Sequence, residues 1–403
     1  MEKLNVKWHV LVGGFAAYMF DAMDIMLLAL AMPAIIKDLG ISMSQAGLLG
    51  TATLVGVGIS SVVVGWYTDN YGRRKSLMWS LISFGLLTAA IGLTSSWAEI
   101  LVLRFLAGLG LGGVWSITAA YITETWPQHQ RGRAASFVLS SFPAGAGIAS
   151  FLAGVIIPTY GWRVLFFTGA GAVLSAIYIY FFVPESKVWQ EQKAERIKTV
   201  GVSSNVSVSE IFSKELLRNT VFGTAVSSFA FIAYWGSTTW LPTFLIRERG
   251  LSTETMALFM VILSIGMFFG YNLFGYLADR IGRKKALILS FLGTGITLPI
   301  YVLTTDTRLL LWMGPVYAFF ISFAGLFGSY FGELFPTRVR TIGAGFCFNV
   351  GRGISALSPF MLGAIAAKYS LAAGIALCAV FFLLAAFTML FLPETRKKIE
   401  AID

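Results

Sequence analysis

Four ionisable side chains interrupt otherwise apolar stretches of this chain: Asp21 and Asp24 in the first run, Arg104 in the fourth and Arg352 in the eleventh. A charge held in an apolar segment costs energy that only a partner or a function offsets. Asp21 and Asp24 are three residues apart, so on a helix they share a face. Two carboxylates that close in a low dielectric do not both ionise easily, which suits one of them to carry a proton. The other reading is that one aspartate simply neutralises Arg104 as a buried pair. Arg104 opens a stripe with Gly108, Leu111 and Trp115 at helical spacing. Arg352 lies between Gly351 and Gly353 and shares a face with Asn349 and Ser355. With no acidic counterpart in its own half at that depth, its guanidinium either takes a carboxylate through two parallel hydrogen bonds or ties helices together through carbonyls. In the seventh run, Tyr234 is placed deep enough to line a cavity with Trp115, Phe142 and Asn272, while Trp240 fits an aromatic belt at a membrane surface.

The elements that must position these residues follow from composition. Of 403 residues 57% are apolar and 12% charged, against about 45–50% and about 25% in soluble domains. A spanning helix takes about 20 residues, and the apolar runs at 8–33, 45–69, 76–95, 97–121, 134–157, 161–183, 218–246, 254–278, 285–304, 308–332, 340–367 and 370–392 give twelve. The expected fold is an all-α integral membrane protein, with six spans in 1–183, a hydrophilic connecting loop at 184–217 and six more in 218–403. At about 1.5 Å per residue, the four charges fall in one slab near the middle of a hydrocarbon core about 30 Å thick. With both termini cytoplasmic, the inner loops hold 22 Lys and Arg against 6 outside, a strong positive-inside bias for a plasma-membrane protein. The net charge of +10 is therefore loop charge at a lipid surface, which argues against nucleic-acid binding. Cys347 and Cys378 read as buried apolar residues, and His9 and His129 have no metal spacing, so no metal or cofactor is assigned.

The chain also repeats itself. Gly65, Asp69, Gly72 and Arg73 recur 210 residues later as Gly275, Asp279, Gly282 and Arg283. Glu124, Pro127 and Arg131 recur 209 residues later as Glu333, Pro336 and Arg340, and Pro184-Glu185 as Pro393-Glu394. Two pseudo-symmetric six-helix halves, with a ligand site where they meet, account for the shared offset. The segment Gly65 to Lys75, between spans two and three, resembles the signature loop of the major facilitator superfamily, and Gly275 to Lys285 echoes it between spans eight and nine. The resemblance covers essentially the whole chain. It implies that these loops, with Glu124, Arg131, Glu333 and Arg340, latch the two halves in one state and release them in the other. The segment Arg104 to Gly113 resembles the superfamily's Arg-x-x-x-Gly motif, whose arginine is credited with proton coupling or packing.

Asp21-Ala-Met-Asp24 is similar to the Asp-Gly-aromatic-Asp motif of metabolite/proton symporters for aromatic acids, sialic acid or monocarboxylates, departing from it at Ala22 and Met23. Glu124 to Arg131, Gly161 to Phe167 and Pro184 to Trp189 look most like the sialate and lactate branch. The resemblance implies a proton-coupled symporter that acts as a monomer and imports a small organic acid. Asp24, Asp21 and Arg104 would then handle the proton, and Arg352, with Asn349, Tyr234, Trp115, Phe142 and Asn272, the substrate. An antiporter exporting drugs or metabolites and a sugar or polyol symporter fit the same repeat. A membrane enzyme does not, because no span pairs a nucleophile with a base.

Overall fold

A computed structural model describes residues 2–127, 131–198, 208–336 and 339–395, and among these there is no strand. Six helical spans form the first half: Glu2–Leu39, Met43–Tyr71, Arg73–Ile91, Trp97–Leu111 continued by Val114–Thr125, Arg131–Leu139 continued by Ser141–Tyr160, and Trp162–Phe167 continued by Ala172–Phe182. The second half repeats the pattern with Leu217–Arg247, Thr253–Ile281, Arg283–Leu303, Thr307–Phe320 continued by Phe323–Leu334, Arg340–Ile354 continued by Ser358–Lys368, and Leu371–Met389. The expected connecting loop contains a helix, Lys187–Lys198, and a short 3₁₀ turn, Val208–Phe212. Ten of the spans are long and apolar enough to cross a membrane. Span three falls short because the basic turn Arg73-Arg74-Lys75 that opens it enters any full-length window. Span seven falls short because it is a buried helix rich in Ser, Thr, Tyr and Trp.

The span limits follow local chemistry. Ser42 and Ser96 open spans two and four with capping boxes to Gln45 and Glu99. Ser252, Asp306 and Ser370 cap spans eight, ten and twelve in the same way, each accepting from a backbone N–H of the first turn. Span one outruns its expected limits at both ends. The Trp126 indole donates to the Lys7 carbonyl at 3.2 Å, and Asp38 pairs with Arg163 at 2.7 Å while accepting from Trp162 at 3.1 Å. Span four breaks at Gly112-Gly113. The expected continuous stripe from Arg104 to Trp115 is therefore split: Gly108 presses on the Thr53 carbonyl and Gly56 of span two, and only Trp115 reaches the cavity described below.

Packing repeats as the sequence does. Spans two with four, one with five, and three with six in the first half correspond to eight with ten, seven with eleven, and nine with twelve in the second. The halves meet through spans one, two and five against seven, eight and eleven. Large apolar side chains such as Leu174, Phe181, Leu303 and Phe387 point outward and stay exposed, as a surface facing lipid requires.

On the face opposite the termini the two halves close on a seam of small residues. A Cβ on Gly47 would lie 2.8 Å from the Phe360 Cα, and one on Gly50 would lie 3.2 Å from the Pro359 ring. Gly363 backs onto Met43 and Trp240. Trp240 is fully buried and donates its indole N–H to the Pro359 carbonyl at 2.9 Å. The aromatic-belt expectation is thus corrected: Trp240 braces the closed seam, because that carbonyl would otherwise be buried without its donor. Gly47→Val should wedge the seam apart. In a Cys347→Ser, Cys378→Ala background, a Thr51→Cys probe one turn away should react several-fold faster with a membrane-impermeant maleimide when Gly47→Val is added. An unchanged rate would show that the seam does not close this face.

Candidate functional site

The first constellation is fully buried. Arg104 Nη2 and Nη1 donate to Asp24 Oδ1 at 3.1 Å and Oδ2 at 3.2 Å, with the two side chains 0% and 1% exposed. Nη1 also donates to the Asp24 carbonyl at 3.3 Å, and Nη2 to Thr88 Oγ1 at 2.5 Å. Thr88 in turn donates to Asp24 Oδ1. The Phe166 ring lies under the guanidinium at 5.8 Å. Spans one, three, four and six thus converge on one bidentate pair, which gives the buried guanidinium its counter-charge while its Nε has no hydrogen-bond partner among the described residues. Thr88 carried no sequence signal, since a lone threonine in an apolar run is ordinary.

The second constellation lies between the halves. Asp21 is 3% exposed, and no hydrogen bond or ion pair among the described residues reaches its carboxylate. It interacts electrostatically with Arg352 of the other half and with Asp24. Arg352 is half-buried, sits over the Trp235 ring at 5.9 Å, and keeps a buried Nε without a hydrogen-bond partner. Tyr18, one turn before Asp21, interacts with Asp21, Arg352 and Tyr271. The acidic counterpart missing from the Arg352 half is therefore supplied by the first half.

A cavity of about 770 Å³ reaches this level from the face that bears the termini, walled by spans one, four, five, eight and ten. Tyr18 and Trp115 belong to its wall, and Trp115 stacks flat on Phe348 of span eleven at 5.0 Å, one turn short of Arg352. Asn272 also lines it, with its amide donating back to the Phe268 carbonyl at 2.8 Å. Phe142 and Tyr234 do not line it, contrary to expectation. Phe142 packs on Tyr18 at 5.7 Å, and Phe142 and Tyr234 border a separate void of about 20 Å³. Asn349 is half-buried on span eleven, outside the cavity wall.

The model of the Major Facilitator Superfamily matches residues 14–356. The chain belongs to the major facilitator superfamily. It is 31% identical over 383 residues to the cis,cis-muconate transport protein of Acinetobacter baylyi, covering 94% of this chain and 93% of that one. It is 28% identical to the sialic acid transporter NanX of Escherichia coli, covering 92% and 90%. Its fold matches the crystal structure of a D-xylose-proton symporter with a TM-score of 0.75 at 21% identity, covering 98% of this chain and 99% of that one. As a member of this superfamily it is a multi-pass secondary transporter and not an enzyme.

The superfamily's signature loops make the same contacts twice. Gly72 and Gly282, both at φ 105°, turn the chain into spans three and nine. The first N–H groups of those spans are capped by carboxylates from far along the chain: Arg73 N donates to Glu185 at 2.9 Å and Arg283 N to Glu394 at 2.8 Å. Arg73 pairs with Glu124 at 2.9 Å. Arg283 pairs with Glu333 at 3.5 Å and with Asp279, and Asp279 and Arg283 border the cavity along with Gly275. Tyr121 and Tyr330 donate to the Pro184 and Pro393 carbonyls. All these contacts stay within one half, as befits an arrangement open on this face. Glu185 and Glu394 were visible in sequence only as a repeat, because a cap supplied from over a hundred residues away leaves no local pattern. Gly65, Asp69, Arg131 and Arg340 sit on helical backbone, and their side chains lie outside the described ones; His129 lies outside the described residues.

Removing one partner of a buried pair leaves the other charge uncompensated, at a cost of about 3–5 kcal/mol. Asp24→Asn should therefore lower the thermal unfolding midpoint of the detergent-purified protein markedly. Combining it with Arg104→Gln should recover part of the loss. Equal midpoints for the single variant and the unmodified protein would contradict the buried pairing.

Proposed function

We propose that this transporter is a proton symporter that imports a small organic acid across the plasma membrane. The observation that carries the reading is Arg352: a guanidinium with no ion-pair partner within 4.0 Å among the described residues, one turn beyond Phe348, which stacks on the cavity-wall residue Trp115, and in the field of the unpaired Asp21. The basic bias of the loops on the cavity side marks that side as cytoplasmic, so the structure is read as inward-open. The names of the similar transporters, for muconate and for sialic acid, both describe carboxylates.

The charges account for coupling. Asp24 is neutralised by Arg104, whereas Asp21 shares the field of Arg352. A carboxylate arriving at Arg352 brings a second negative charge beside Asp21, and a proton in the aspartate pair restores neutrality where the dielectric is low. Substrate and proton then travel together as a neutral set. Asp24 takes part because its bond network with Arg104 and Thr88 fixes the helix face that Asp21 shares. Release of the Arg73 and Arg283 loops from one half to the other, with Glu124, Arg131, Glu333 and Arg340, sets which face is open.

Two measurements test this. Thermal-shift screening of a carboxylate panel including muconate and N-acetylneuraminate, at about pH 5.5 and about pH 7.5, should find a carboxylate that stabilises the protein, more strongly at the lower pH. Arg352→Gln should remove that stabilisation. Hits confined to cations or neutral sugars would overturn the substrate class. In proteoliposomes, Asp24→Asn should abolish uphill uptake driven by a pH gradient while sparing downhill exchange; intact uphill uptake would refute the proton assignment.

A further inference from the structure

Four tryptophans among the described residues are buried: Trp126, Trp162, Trp235 and Trp240. Three of them give their indole N–H to a protein acceptor: Trp126 to the Lys7 carbonyl, Trp162 to Asp38 and Trp240 to the Pro359 carbonyl. A buried indole N–H ordinarily finds such a partner, because leaving it unpaired forfeits the hydrogen bond it had to water. Trp235 is the exception. It is 4% exposed, and its Nε1 has no hydrogen-bond partner among the described residues.

Its position is as unusual as its missing partner. Trp235 lies on span seven at the junction with spans one, two and eleven, bordering a void of about 20 Å³ shared with Thr53, Gly50 and Thr239. Arg352 sits over its ring, and the guanidinium Nε is itself buried and unpartnered. Two donors, on residues whose side chains meet as cation and ring at 5.9 Å, thus have no hydrogen-bond partner among the described residues, where the proposed substrate carboxylate would arrive. A carboxylate has two oxygens and about four acceptor positions, so it can satisfy a guanidinium with one edge and a neighbouring indole with the other. The void is large enough for one oxygen-sized group.

We infer that Trp235 is a specificity-determining residue whose indole N–H binds the substrate carboxylate together with Arg352. This rests on the reading of Arg352 as the carboxylate site. It implies discrimination beyond charge: an ester or primary amide of the same acid has one uncharged carbonyl oxygen where the acid has two charged ones, so it cannot meet the two donors with separate carboxylate oxygens as the acid does.

Trp235→Phe keeps an aromatic ring under Arg352 and deletes only the N–H. The probe is the carboxylate of the panel that most stabilises the unmodified protein, compared with its own primary amide. The expected result is about a tenfold or larger loss of affinity for the acid, the range of a hydrogen bond to a charged group, with the unliganded unfolding midpoint unchanged. Affinity for the amide should change much less, so the acid-to-amide preference narrows. A packing role for Trp235 would shift both ligands and the midpoint alike, and that outcome would overturn the inference. So would unchanged acid affinity in Trp235→Phe, which would mean that the N–H is satisfied by a bound water. Arg352→Gln separates the two levels: if it abolishes acid binding while Trp235→Phe is silent, only the indole assignment fails. If Arg352→Gln is also silent, or no carboxylate stabilises the unmodified protein, the carboxylate site fails and the indole assignment falls with it.

Discussion

A guanidinium placed among hydrocarbon side chains needs its counter-charge within reach, and the first half of this protein is arranged around meeting that need for Arg104. Asp24 supplies both carboxylate oxygens and its own carbonyl, and Thr88 closes the ring by accepting from one partner and donating to the other. Because the pair is inaccessible to water, its geometry is stringent. Spans one, three and four cannot shift independently without exposing an unpaired charge, which ties these three spans together. Asp21, on the same helix face, inherits a fixed position from this arrangement.

Among the described residues the second half has no such buried pair, and the proposed function uses that difference. Both halves share the glycine turns at 72 and 282, the carboxylate caps at 185 and 394, and the tyrosine-to-proline contacts at the cavity face. These repeated features build the scaffold. The features that do not repeat lie at the centre: the paired Arg104 has Gly314 as its counterpart by the 210-residue offset, while Arg352, without an ion pair among the described residues, lies in the field of Asp21 of the other half. A structurally satisfied charge on one side faces an unsatisfied one on the other, which is the asymmetry expected of a site that must gain and lose a charged guest.

Closure on the opposite face depends on the reverse property, the absence of side chains. Gly47 and Gly50 let span two approach the Pro359 turn of span eleven to backbone contact, and Trp240 takes up the carbonyl left at that turn. Such a seam has few strong bonds to break. Its stability lies in close packing, which is lost all at once when the halves rock apart.

Much of this was legible in the residues alone. Apolar length and charge sidedness establish the twelve spans, and the shared offset of three motifs establishes the two halves, since hydrocarbon leaves a chain few alternatives to spanning helices. The unusual cost of intramembrane charge singled out Asp21, Asp24, Arg104 and Arg352 without any coordinates. Their pairing was another matter. Asp21 and Asp24 are equivalent by spacing, and only the convergence of four helices made one of them the partner of Arg104 and left the other facing Arg352. The roles of Thr88, Glu185, Trp235 and Trp240 and the exclusion of Phe142 and Tyr234 from the open cavity likewise came from tertiary structure. Each depends on a partner many residues distant and on which face of the protein is closed. Local spacing records which side of a helix a residue occupies, and it carries no information about what the neighbouring helix brings to meet it.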